Sequence, residues 1–281
     1  KLNNQLTPLR GKPQIQFTQN WPRLDGATAA YPIYASAFYA LSVIPEDFHV
    51  WDYLDNSRTQ EAYNKIVNGD ADIIFVAQPS DGQKKRAEKS GVTLLYTPFA
   101  REAFVFIVNA DNPVNSLTEQ QVRDIFSGAI TNWRAVGGDD QEIQTWQRPE
   151  DSGSQTVMLS QVMKNVRMIS PQETEVASVM EGMINVVAEY RNTKNAIGYT
   201  FRYYATQMNA DKNIKLLAIN GIAPTAENIR NDKYPYIVDA LMVTRENTTS
   251  ETQKLVEWFL TPQGQSLVED VGYVPMDKTL H

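Results

Sequence analysis

Short apolar, β-branched runs alternate with amphipathic segments along most of this chain, and that alternation constrains its fold more than any other feature. Runs of four to eight such residues bounded by turn residues read as strands. The candidates are Ile15–Thr18, His49–Tyr53, Asp72–Ala77, Thr93–Tyr96, Ala103–Asn109, Ile143–Gln147, Ala196–Thr200, Ile214–Ile219 and Ile237–Thr244. Between them, "TQEAYNKIVNG" (59–69) sets Ala62, Ile66 and Val67 on one helical face and stops at Gly69. "SLTEQQVRDIFSG" (116–128) has a Ser/Thr start, an early Glu119, apolar Val122, Ile125 and Phe126, and a final Gly128. The pattern from Glu251 to Val271 is broken at Pro262 and predicts two helices. Strands interleaved with helices give an α/β class. For 281 residues, two α/β lobes suit the pattern better than one sheet of nine strands.

Composition removes several function classes. No stretch approaches the roughly 20 apolar residues of a membrane-spanning helix, and Lys1 opens a polar segment rather than an export signal. A net charge of −7 with no basic run longer than "KKR" (84–86) predicts no nucleic-acid partner. Cysteine is absent and the histidines are His49 and His281, so neither a thiolate nor a His-rich metal site is available, and no metal or cofactor is expected.

Three places share one design, a small-residue, hydroxyl-bearing turn directly before a helix. They are "DGATAAYP" (25–32), "DNSRTQEAY" (55–63) and "EDSGSQTVML" (150–159). A helix start leaves backbone N–H groups without intrahelical acceptors and carries the positive end of the helix dipole, so each turn suits an anion. Ordinary N-capping by Thr, Ser or Asp explains any one of them equally well. The third is preceded by Arg148, whose guanidinium offers a two-pronged contact to an oxyanion or an ion pair with Glu150 or Asp151.

Catalysis is the competing reading. "DSG" (151–153) is similar to the nucleophile surroundings of trypsin-like serine proteases, which would make the chain a hydrolase of a phosphoester or acyl group acting through Ser152. The match is three common residues. His49 falls in an alternating run, and no Gly-x-Ser-x-Gly elbow is present. A signalling or adhesion module is a third class. "GDADI" (69–73) and "GGDD" (137–140) lack the acid spacing of a calcium loop and read as turns.

"FVFIVNADNPVNSLTEQQVRDIFSGAITNWRAVGG" (104–138), followed by "QRPEDSGSQT" (147–156), "NAIGYTFRYY" (195–204), "INGIAPTAENIRNDKYP" (219–235) and "WFLTPQGQSLVEDVGYVPM" (258–276), resembles the phosphate-binding subunits of ABC transporters. That family has the type II periplasmic-binding-protein fold, and the resemblance covers roughly residues 20 to 276. It implies two lobes joined by two chain crossings, each a mixed sheet flanked by helices, with the ligand cleft between them. Lobe one would be 1–99 plus 233–281 and lobe two 100–232. The site residues it implies are Thr28 with the Ala29 backbone, Ser57, Arg148, Ser152, Gly153 and Ser154.

The chain departs from the family after "ADIIFVA", where an aspartate usually accepts a hydrogen bond from the P–OH of phosphate. Here "AQPSD" puts Gln78 nearest that place. The second turn reads "NSRT" where the family tends toward Ser-Ser-Gly, so Arg58 adds a charge there. The resulting expectation is a monomeric, exported, non-catalytic protein, periplasmic or a cell-surface lipoprotein whose signal segment lies outside this sequence. It would capture phosphate or a similar oxyanion and present it to a membrane-embedded ABC permease.

Overall fold

A computed structural model describes residues 6–170, 176, 183–185, 187, 194–210 and 212–276; His281 lies outside them. The elements in chain order are β1 (Leu24–Gly26), α1 (Tyr31–Leu41), α2 (Arg58–Asn68), β2 (Ile73–Val76), α3 (Asp81–Lys89), β3 (Leu94–Asn109), β4 (Ser116–Leu117), α4 (Glu119–Ser127), β5 (Gln144–Thr145), α5 (Gly153–Val157), β6 (Ala196–Phe201), β7 (Ile214–Leu216), β8 (Ala218–Ile219), α6 (Ala226–Arg230), β9 (Ile237–Arg245), α7 (Ser250–Phe259), α8 (Pro262–Val271) and β10 (Val274–Pro275). They fall into two compact α/β units, one of Lys1–Arg101 with Asp239–His281, the other Glu102–Val238. Both crossings occur inside a strand, β3 and then β9.

In the discontinuous unit, β1 runs parallel to β2 with Gly26 opposite Phe75, and β2 runs antiparallel to β9 with Ile73 opposite Thr244. β10 pairs with β3 at Ala100 and Arg101. All four residues of β2 are buried, as expected of a strand covered on both faces. Helix α1 presses Ile33, Tyr34 and Phe38 into the core; Tyr34 stacks on Phe75 at 4.9 Å, and Phe75, Phe99 and Phe259 meet edge to face at 5.3–5.5 Å. Helix α2 lays Ala62, Tyr63, Ile66 and Val67 on Ile74, Val76 and Val243. It ends where its spacing predicts, with Gly69 left-handed at φ 84°.

In the continuous unit, β6 lies antiparallel to β3 over Phe104–Val108 and parallel to β5, while β7 pairs antiparallel with β3 over Ile107–Asn109, so that Ile107 and Val108 have a partner on each side. β4 and β8 form a separate parallel pair. Phe104, Phe106, Phe126 and Tyr199 make the aromatic core. Thr118 caps α4 in a reciprocal box with Gln121, and Gly128 ends it.

Five expected strands differ. His49–Tyr53 is instead a 3₁₀ turn at Val50–Asp52 with Trp51 80% exposed, so its alternation did not mark a buried face. Ile15–Thr18 is reduced to a bridge between Phe17 and Ser42. Thr93–Tyr96 and Ala103–Asn109 fuse into β3, because Pro98 removes only one donor from a long strand. Ile214–Ile219 splits, since its two halves pair with β3 and β4 respectively. Pro262 begins α8 in the first turn, giving the two helices predicted. Among the described residues, no helix is long and apolar enough to cross a membrane.

Candidate functional site

In the discontinuous unit, three turns leave the same end of a parallel array. β1 leads to Thr28 and Ala29, a parallel bridge from Leu24 to Leu54 leads to Ser57, and β2 leads to Gln78. Loops at the carboxyl ends of parallel strands are where open α/β sheets place ligands.

The first two turns are tied together by a residue the sequence reading passed over. Asp25 is 1% exposed. Its Oδ1 accepts from the N–H groups of Gly26 at 2.7 Å and Ser57 at 2.8 Å, and its Oδ2 accepts from the Ser57 hydroxyl. Lys65 Nζ lies 3.1 Å from Oδ2 and also pairs with Asp55. Burial opposes the Lys65 charge, but Asp55 and Asp25 together raise its pKa above the ordinary range. In the sequence Asp25 stands only as the first residue of the turn "DGATAAYP", with no role assigned to it.

Thr28 and Ala29 open a 3₁₀ turn that runs straight into α1, so their N–H groups head a helical run. Among the described residues, no hydrogen bond engages the Thr28 hydroxyl. The Ala29 carbonyl accepts from the Tyr273 hydroxyl at 2.6 Å, which pins the turn. Ser57 precedes α2 without capping it, since its hydroxyl is turned to Asp25. The next residue, Arg58, holds a left-handed φ of 74°. Gln78 follows Ala77, whose carbonyl accepts from the Tyr63 hydroxyl at 3.1 Å.

In the continuous unit, one turn brings together Arg148, Ser152, Gly153 and Ser154. Arg148 follows β5 and is 9% exposed; its N–H is shared between Gln155 Oε1 and the Tyr199 hydroxyl, each at 3.2 Å. The Tyr199 hydroxyl donates in turn to Gln155 Oε1. Burial pushes the Tyr199 phenol well up, against the opposing Arg148 hydrogen bond and charge, so it stays a donor at neutral pH. Tyr199 is a support that spacing could not reveal, being 51 positions from Arg148, whereas Gln155 lies seven positions on, inside the turn at 150–159, and was given no role there.

Ser152 is the N-cap of α5, accepting from Gln155 N–H at 3.2 Å, and a π-helical turn, Met158–Met163, continues the helix. Among the described residues, its hydroxyl makes no hydrogen bond to a basic or acidic side chain. The Ser154 hydroxyl is fully buried and has no hydrogen-bond partner among the described residues. In the two acidic turns, Asp72 pairs with Arg23 at 2.9 Å and Asp140 with Arg134 at 3.0 Å.

Residues 19–263 match the family model of the PBP superfamily domain. The chain belongs to the PBP superfamily. Among characterised relatives of this PBP chain, the phosphate-binding protein PstS of Borreliella burgdorferi is 26% identical over 183 residues, 63% of this chain and 64% of that one. PstS of Bacillus subtilis is 29% identical over 171 residues, 60% of this chain and 53% of that one. The PBP chain therefore aligns with a little over half to two thirds of the length of these relatives. A Clostridium perfringens substrate-binding protein assigned to a phosphate ABC transporter, solved with phosphate bound, has a similar fold, with a TM-score of 0.70 at 22% identity over 92% of this chain and 100% of that one. An ABC-type phosphate transport receptor from Vibrio cholerae has a TM-score of 0.66 at 20% identity, covering 91% and 100%.

Proposed function

We propose that this PBP superfamily chain captures inorganic phosphate without catalysis and delivers it to a membrane-embedded ABC permease. Thr28, the Ala29 backbone, Ser57, Gln78, Arg148, Ser152, Gly153 and Ser154 bind the anion. The observation that carries this reading is the buried, unpartnered Ser154 hydroxyl in the turn that holds Arg148. Leaving such a group unsatisfied costs about 1–3 kcal/mol, and a bound oxyanion would recover it. Arg148 supplies the charge, and the remaining groups are neutral, so phosphate is held by many hydrogen bonds and one ion pair.

The names of the relatives and the bound phosphate in a protein of similar fold support phosphate over other ligands. The protein acts as a monomer outside the membrane, in the periplasm or at the cell surface. Titration calorimetry with phosphate tests the proposal. Binding is expected at neutral pH, and Arg148→Ala should weaken it at least a hundredfold; unchanged affinity in that variant would remove Arg148 from the site. Hydrolysis of phosphate or acyl esters that disappears in Ser152→Ala would instead establish an enzyme.

A further inference from the structure

Resting on the phosphate reading, we infer that Asp25 is the residue that sets selectivity for a protonated oxyanion, acting through Ser57. Asp25 is a buried carboxylate that faces four donors: the Gly26 and Ser57 N–H groups on one oxygen, the Ser57 hydroxyl and Lys65 Nζ on the other. A carboxylate offers about four lone-pair sites, so these partners saturate it. With no proton of its own to give, it fixes the direction of its bond to Ser57: the hydroxyl must donate.

A serine hydroxyl has a single proton. With that proton committed to Asp25, Ser57 Oγ presents only lone pairs to anything else that approaches it. It can accept from the P–OH of phosphate, which carries at least one proton at neutral pH. It cannot donate to sulfate, which carries none, and two lone-pair-bearing oxygens would then face each other unbridged. Such a mismatch discriminates by penalising the wrong ligand rather than by strengthening the right one. Lys65 supports the arrangement by holding the second carboxylate oxygen while Asp55 holds Lys65. Asp25 is therefore a positioning residue, and Ser57 the atom that reads the proton.

Replacing Asp25 with asparagine tests this by its direction. In Asp25→Asn the side-chain oxygen can keep the two N–H groups while the amide NH₂ donates to Ser57, which reverses the hydroxyl and turns its proton outward. Sulfate affinity should then rise and phosphate affinity fall, changing the ratio of the two dissociation constants at least tenfold. A structural role alone would weaken both anions together. Ser57→Ala, which leaves Asp25 its N–H and Lys65 partners, should narrow the ratio by lowering phosphate affinity while leaving sulfate unchanged or improved; it decides the matter if Asp25→Asn does not fold. Calorimetry of phosphate and sulfate on the three proteins, with melting curves, gives the readout. A ratio unchanged within twofold in folded variants, or wild-type protein that binds sulfate as tightly as phosphate, would overturn the inference. Wild-type protein that binds neither anion would overturn the phosphate reading itself.

Discussion

Gly26 lies against the main chain of Phe75: a Cβ at position 26 would stand 2.4 Å from the Phe75 carbonyl oxygen. That same oxygen accepts from Ala27 N–H at 2.9 Å, so the contact sets how β1 hands over to the Thr28 turn. Gly26→Ala must push the paired strands apart, and overpacking of this kind costs about 1–3 kcal/mol. Urea denaturation should show a lowered midpoint and phosphate calorimetry a weaker site; a midpoint equal to wild type would mean β1 moves without cost.

Arg58 occupies a left-handed backbone conformation that costs an L-residue about 1–2 kcal/mol. Arg58→Gly removes the strain and Arg58→Ala keeps it, while both remove the charge. The glycine variant should therefore be the more stable of the two by about 1 kcal/mol, after its greater unfolded-state freedom is counted. Paired denaturation curves check the order; alanine above glycine would show that the conformation relaxes freely.

Ser154→Ala should move stability and binding in opposite directions. Removing a buried hydroxyl that has no partner raises ligand-free stability by about 1 kcal/mol. Phosphate affinity should fall, because the same hydroxyl is a ligand donor in the proposed site. Melting without ligand and calorimetry with it give the two readings, and a drop in both would show that the hydroxyl has a structural role.

Glu102 gives the chain a pH response. Burial pushes its carboxyl from the ordinary 4.5 up to about 7, against hydrogen bonds from Ala103 and Tyr203 N–H and the charge of Arg202. Between these values the folded chain keeps a proton that the unfolded chain has lost, so stability present in acid is lost as pH rises through about 7. The full loss is on the order of 3 kcal/mol. Urea midpoints should fall from pH 4.5 to pH 8, and Glu102→Gln should flatten that fall; an equal slope in the variant would assign it to other groups.

The helices were legible because their signals are local. Apolar spacing and a terminal glycine fixed both ends of α2 to within a residue, and Pro262 announced the break between α7 and α8. Strands were less so, since "HVWDY" alternates like a strand yet turns in 3₁₀ form with Trp51 facing water. The three hydroxyl-bearing turns could be read as helix starts, and helical runs do begin at Thr28, Arg58 and Gly153. What could not be read was the wiring behind them. Asp25 meets Ser57 across 32 positions and Tyr199 meets Gln155 across 44, and no periodicity spans such distances.

The strand pairing of β2 has a consequence for biosynthesis. Ile73–Val76 is wholly apolar, and its neighbour on one side, Leu241–Thr244, is made only after the whole of Glu102–Val238. Until that segment emerges, a ribosome-bound or partly translocated chain carries a sticky, unpaired edge while Glu102–Val238 is already complete. Nascent chains stalled short of residue 241 should thus be the species that chaperones hold and that aggregates collect.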